Sequence, residues 1–270
     1  MTKTLSAVNL KGGVGKTAFA VNFSAYCGRN GLDTLLIDVD PQTNATFSCV
    51  GLDEWEEHAH EKGTLANLLK HRSFASAENS EPDVQEIIVD GVFEGVDLIP
   101  SHLDLFTVDL DLAGATGREL RLRKGISDIK DEYDIIICDC PPNLTIPTQN
   151  ALAASTHYLV PISPDFLSGI GVGILLKRIR GFCEDLGHSL EPAGMLISRV
   201  GRPATHREQT VQSLRDKFGE KVLETEIKER VAVSESAAQN HSIFDHEDTD
   251  AGSEFGSASE EVLSTMDIQT

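Results

Sequence analysis

The run Leu10-Lys11-Gly12-Gly13-Val14-Gly15-Lys16-Thr17 constrains this chain more than any other feature of its 270 residues. Before it, residues 4–9 read as a short strand. After it, Phe19, Ala20, Phe23, Tyr26 and Cys27 recur at helical spacing over about residues 16–29. A glycine-rich turn between a strand and a helix points backbone N–H groups inward and adds the partial positive charge of the helix N-terminus, which makes an anion cradle. In such a cradle Lys16 reaches the β- and γ-phosphates of a nucleotide and the Thr17 hydroxyl ligates Mg²⁺. The full P-loop pattern carries glycine where this chain has Leu10. Lys11 is a second lysine at the loop's start. From the loop alone it points either to solvent or to a nucleotide held by another copy of the chain.

Gly28 and Gly31 offer a stop to the first helix, and Thr34–Val39 is a continuous apolar run, as expected of a strand buried on both faces. Further strands are expected at 96–100, 135–139, 158–162, 193–197 and 222–227, with helical patterns over about 103–113, 117–130, 168–186 and 206–218. Strands alternating with helices pair in parallel through right-handed crossovers. The expected fold is α/β, a doubly wound, mostly parallel sheet with helices on both faces. Residues 1–244 read as one domain with surface insertions near 53–62 and 73–83. Residues 245–270 hold eight acids and no Lys or Arg, and end either as a closing helix near 260–266 or as a frayed tail.

Asp38 and Asp40 lie at the end of one expected strand and Asp139 at the end of another. In an open parallel sheet ligands sit beyond the carboxyl ends of the strands, so all three converge on the glycine loop. Oxygen ligands at that place suit a hard cation that keeps several waters, which is Mg²⁺.

Composition narrows the partners. The 43 acids and 23 bases leave a net charge of −20, which opposes general adhesion to nucleic acid or anionic lipid. The same surplus also fits a salty cytoplasm. The five scattered cysteines contain no CxxC, so neither a disulfide framework nor a zinc site is expected. No apolar run approaches the roughly 20 residues of a membrane span, and the N-terminus lacks a signal-peptide core. The chain is read as cytoplasmic.

Lys11–Thr17 resembles the deviant Walker A motif of the ParA/MinD branch of P-loop ATPases. Asp38-Val39-Asp40-Pro41-Gln42-Thr43-Asn44 resembles the D-x-D-P-Q-x-N segment of ParA/Soj partition proteins, and Ile137–Pro142 resembles their Walker B segment. Weaker likeness continues through Asn150-Ala151-Leu152, Phe218–Val222, Ser234-Glu235-Ser236 and Glu261-Val262-Leu263. The resemblance implies an ATPase that hydrolyses ATP with Mg²⁺, dimerises when ATP-bound and answers to a ParB-like partner. It implies that Lys11, Gly12, Gly13, Val14, Gly15, Lys16, Thr17 and Ala18 bind the nucleotide, with Lys11 crossing to the partner's ATP. It also implies that Thr17, Asp38 and Asp139 serve the metal and that Asp40 orients the attacking water. Ala18 stands where many relatives have a second threonine, and Ile227-Lys228-Glu229-Arg230 stands where they have I-P-R-N near the adenine.

Family members bind DNA nonspecifically through late basic residues, and a DNA-binding member would be nucleoid-associated. Residues 199–230 carry eight Lys or Arg against six acids, with Arg199, Arg202, Arg207, Arg215 and Lys217 as DNA-contact candidates. A MinD-like division-site membrane switch is the alternative, but it wants a basic amphipathic C-terminal helix where this chain is acidic. A nitrogenase-iron-protein-like reductase would need a cysteine ligand set that is not apparent. An ATP-binding adaptor with little turnover is weighed against by Asp40.

Overall fold

The structure, a computed structural model, describes residues 1–70, 84–165, 168–201 and 205–269. The expected insertion at 73–83 and the candidate Arg202 lie outside them. The eight strands are β1 (Lys3–Ala7), β2 (Thr34–Asp38), β3 (Val89–Phe93), β4 (Val96–Ile99), β5 (Ile135–Asp139), β6 (His157–Ile162), β7 (Glu191–Val200) and β8 (Val222–Lys228). They form one sheet in the order β3-β4-β2-β5-β1-β6-β7-β8, parallel throughout except for the β3–β4 pair. The helices are α1 (Lys16–Arg29), α2 (Asn44–Cys49), α3 (Leu52–Glu61), α4 (Leu65–Lys70), α5 (Val108–Asp111), α6 (Arg121–Gly125), α7 (Ile146–Ala154), α8 (Ser168–Leu186), α9 (Thr205–Phe218), α10 (Val231–Ala238) and α11 (Thr249–Thr265).

Both faces of the sheet are apolar, and successive residues of a strand supply opposite faces. Leu35, Ile37, Ile136 and Cys138 join one core with Leu69, Leu122, Ile146 and Leu175. Leu36, Ile135 and Ile137 join the other, with Phe19 and Phe23 of α1 and Phe255, Val262 and Leu263 of α11. Burial on both faces is why β2 and β5 read as unbroken apolar runs.

Two local expectations change. Gly28 is not the helix stop, since α1 runs on to Arg29 and the left-handed Gly31 (φ 81°) follows. Gly28 is instead a point of close approach, where a Cβ would lie 2.0 Å from the Glu94 carbonyl oxygen in the β3–β4 turn. The patterns at 103–113 and 117–130 become short 3₁₀ and α pieces, interrupted around Gly114 and the left-handed Gly117. The expected surface insertion near 53–62 carries α3, which lies on the surface and is anchored by Trp55, whose indole N–H donates to the Ser101 carbonyl at 3.0 Å.

The acidic C-terminal segment is a helix over Thr249–Thr265, capped by Asp248, whose carboxylate accepts the Ala251 N–H. Its acids have structural work on edge strand β8. Glu261 accepts the Glu224 and Thr225 N–H groups at 2.7 and 2.8 Å, and Glu254 accepts that of Lys228 at 3.0 Å. Carboxylates on otherwise open edge donors blunt the strand against pairing with another chain. Among the described residues no helix is long and apolar enough to cross a membrane.

Candidate functional site: a phosphate cradle over three strand-end carboxylates

Parallel pairing brings Ala7, Asp38 and Asp139 to the same level at the carboxyl ends of three adjacent strands. The glycine loop leaves β1 there and enters α1 through Gly15, with Gly13 and Gly15 both left-handed (φ 71° and 83°). Glycine adopts this region without the Cβ clash that other residues meet. Above the loop lies a cavity of about 800 Å³, within the usual size of a small-molecule site. Gly12, Gly13, Gly15, Lys16, Thr17 and Ala18 line it on one side and Asp40, Arg199 and Glu229 on others. Val14 is buried beneath them.

Lys16 is buried, and its ammonium donates to the Lys11 carbonyl at 3.3 Å. Burial lowers its pKa, against the opposing pull of Asp139 and Asp40. The three carboxylates are not equivalent. Asp38 is fully buried and already partnered: Oδ2 accepts the Thr46 N–H at 2.8 Å and its hydroxyl at 2.7 Å, and Oδ1 accepts the Asp40 N–H at 3.1 Å. Burial raises its pKa to about 7, and the Thr46 bonds hold it from rising further. Asp40 keeps one oxygen on the Gln42 N–H at 3.0 Å. Burial raises its pKa, while the Gln42 bond and Lys16 oppose the rise.

Asp139 differs from both. It is fully buried, and neither carboxylate oxygen has a hydrogen-bond partner among the described residues. Burial pushes its pKa well above the ordinary value, Asp38 adds to the rise, and Thr17 and Lys16 stand close enough to oppose it. Thr17 does so without completing a hydrogen bond. An ionised carboxylate in that state lacks a directly bonded partner for its charge, so this donor set fits Mg²⁺. Among the described residues no three His, Cys, Asp or Glu cluster to hold a metal unaided. Sharing the ion with phosphate oxygens and water is how Mg²⁺ is commonly bound.

Lys11 is half-exposed and folded onto its own chain. Its ammonium pairs with Asp165, whose carboxylate also accepts the Ser163 hydroxyl at 2.7 Å. Sequence reasoning missed this partner, and missed the network behind Asp40. The Ser101 hydroxyl donates to the Asp40 carbonyl at 2.6 Å, and the Ser101 N–H donates to Thr46 Oγ1 at 2.9 Å. A serine after Ile99-Pro100 carries no signal of that role.

The nominated basic residues do not form one free stripe. Arg199 sits at the cavity mouth, with Nη1 donating to the Gly13 carbonyl at 2.7 Å and Nη2 paired with Glu229. Arg215 donates to the Leu223 and Glu224 carbonyls at 3.0 and 3.1 Å and pairs with Glu226. Arg207 packs its guanidinium against Gly201, and Lys217 lies 5.1 Å from the Phe218 ring centre.

An AAA domain family model matches residues 2–191. The chain is 32% identical over 259 residues to the chromosome-partitioning ATPase Soj of Treponema pallidum, covering 93% of each. It is similar to the solved structure of cobyrinic acid a,c-diamide synthase from Mycobacterium smegmatis with a bound ATP analogue and magnesium. That match has TM-score 0.73 and 26% identity and covers 89% of this chain and 92% of the other. It also superposes on a Cyanothece McdA–ATP complex with TM-score 0.80, covering 100% and 98% of the two chains. At 19% identity that last likeness bears on the fold alone.

Proposed function

We propose, from the premise that this chain belongs to the ParA/Soj family of partitioning ATPases, that it hydrolyses ATP to ADP and phosphate with Mg²⁺ and that bound ATP holds two copies together. Asp139 is the observation that carries the reading. A buried carboxylate whose two oxygens are orphaned among the described residues, beside Thr17 and Lys16 under a glycine cradle, has a chemical purpose once a cation and a polyphosphate arrive. The magnesium-bound relative supports the same assignment.

In this reading the loop N–H groups from Gly12 to Thr17 hold the phosphates and Lys16 neutralises the β- and γ-oxygens. Thr17 would ligate Mg²⁺ and Asp139 would hold it through water, supplying charge neutralisation where negative charge develops. Asp38, whose oxygens serve Thr46 and Asp40, supports the metal site indirectly by fixing that segment. Asp40 orients the water and accepts its proton as the β–γ bridge breaks. Lys11 leaves Asp165 and reaches the partner copy's nucleotide. Hydrolysis removes the charge that holds it, and the dimer loosens. Residues 1–244 form the ATPase body and 245–270 close it.

The cellular task proposed is DNA partitioning in the cytoplasm, with a ParB-like partner and a dimer that binds DNA nonspecifically. In a protein of net charge −20 that DNA binding would be steeply salt-dependent, with a slope of about −0.9 per phosphate contact. The membrane alternative finds no support in α11, whose apolar face packs on the sheet and α1.

Phosphate release with Mg²⁺·ATP, run beside sizing chromatography with ADP, ATP and a nonhydrolysable analogue, tests the reading. Turnover lost in Asp40→Ala, with dimers formed by ATP but not ADP, is the expected result. No turnover and no ATP-dependent change in size would refute it. DNA retention on filters across a salt series tests the last part, and no retention at any salt would remove it.

A further inference from the structure

The sequence makes Arg199 a DNA-contact candidate, but its geometry belongs to the nucleotide loop. It follows Ser198 on β7, and in a regular strand two successive side chains point to opposite faces. Here they do not. The Ser198 hydroxyl donates to the Val14 carbonyl at 2.5 Å, and Arg199 Nη1 donates to the Gly13 carbonyl at 2.7 Å. Consecutive side chains thus grip consecutive carbonyls of the glycine loop. Arg199 achieves this by adopting a left-handed backbone (φ 54°), a conformation that non-glycine residues rarely take and that clusters at functional sites. The Glu229 N–H donates to the Val200 carbonyl at 3.1 Å, which sets its carboxylate opposite the Arg199 guanidinium at the cavity mouth.

The consequence follows from peptide geometry. A trans peptide is planar, with its C=O and N–H pointing in opposite directions. A Gly13 carbonyl held toward β7 aims the Val14 N–H away from β7, and a Val14 carbonyl held likewise aims the Gly15 N–H. Those are the donors a phosphate needs, and the conformational freedom of glycine leaves their direction weakly set by the loop's own backbone.

We infer that Ser198 and Arg199 are positioning residues of the phosphate loop, presetting the Val14 and Gly15 N–H groups for the polyphosphate, with Glu229 steadying the guanidinium. The inference rests on the nucleotide reading and adds to it two residues from a strand two places along the sheet from β1.

The test is titration calorimetry of the full chain with Mg²⁺·ADP and, separately, with Mg²⁺·tripolyphosphate, which lacks base and sugar. R199A should weaken both ligands by about tenfold, the scale of one charge-assisted hydrogen bond. S198A should weaken both in the same direction. R199K, which can still donate to the Gly13 carbonyl, should recover most of the loss. The nucleotide-free melting temperature should stay unchanged, because the Arg199 side chain is about half exposed. Three outcomes overturn the inference while leaving the nucleotide site intact. R199A could bind both ligands normally. It could lose ADP but not tripolyphosphate, which would make Arg199 a base contact. Or it could lower the melting temperature with no rescue by R199K, which would make the role structural. If the unaltered protein bound neither ligand, the nucleotide reading itself would fall and this inference with it.

Discussion

Replacing Asp139 with asparagine should make the nucleotide-free protein more stable while abolishing its Mg²⁺-dependent turnover. The wild-type carboxylate is fully buried with both oxygens unpartnered among the described residues, and burial together with the nearby Asp38 raises its pKa. Asp38 itself is raised to about 7. An acid whose pKa is higher in the fold than in the unfolded chain stabilises the fold below its unfolded pKa. That contribution is lost as the pH climbs through the folded value. These two acids therefore make the unliganded protein less stable as pH rises from about 4 past 7. Asparagine keeps the shape of Asp139, sheds its charge and relieves the repulsion on Asp38, while Lys16 keeps Asp40 as a neighbour. A buried unsatisfied polar group costs about 1–3 kcal/mol, and more when charged. A gain of about 2 kcal/mol raises the melting temperature of a chain this size by roughly 4–8 °C. Scanning calorimetry in chelator, from about pH 6 to about pH 8, should show the gap between variant and wild type widening with pH. Adding Mg²⁺·ADP should stabilise the wild type and leave the variant nearly unmoved, so that the order closes or reverses. A variant that melts below the wild type at the alkaline end without Mg²⁺ would refute the reasoning, because the Asp139 charge would then already be compensated within the fold.

Lys11→Ala should keep nucleotide binding and lose ATP-dependent dimers, and normal dimers on a sizing column would remove Lys11 from the interface. Asp165→Asn should free Lys11 from its own chain. The pair is exposed (side chains 52% and 42%) and worth less than about 1 kcal/mol, so the ATP concentration for half-dimerisation should fall by no more than about fivefold. A rise would mean that Asp165 assists dimerisation. Thr46→Val removes a donor from buried Asp38 and an acceptor from the Ser101 N–H. Denaturant unfolding should show a loss of about 2–4 kcal/mol, and a loss under about 0.5 kcal/mol would show that Asp38 finds another partner.

The central strands were legible because burial on both faces leaves a continuous apolar run, and β2 and β5 each close on an aspartate that marks the site's level. The edge was harder. Val89–Phe93 carries Asp90 and Gly91 and is only partly buried, so no strand pattern stands out, and its place is set by the turn at Glu94-Gly95 against Gly28. The C-terminal acids leave a closing helix and a frayed tail both open in the sequence, because the strand edge that some of them cover is assembled from residues 26 or more positions away.

By itself the sequence determined the glycine loop between the first strand and helix, the three strand-end aspartates and the alternating α/β order, since each depends on neighbours within one turn or one strand. Tertiary structure alone decided which aspartate is spoken for and which is orphaned, that Lys11 rests on Asp165, and that Arg199 grips the loop instead of facing solvent. Those outcomes depend on which strands become neighbours. The order β2-β5-β1-β6-β7 carries residues more than a hundred positions apart to one end of the sheet, where hydrogen-bond partners are chosen by distance in space.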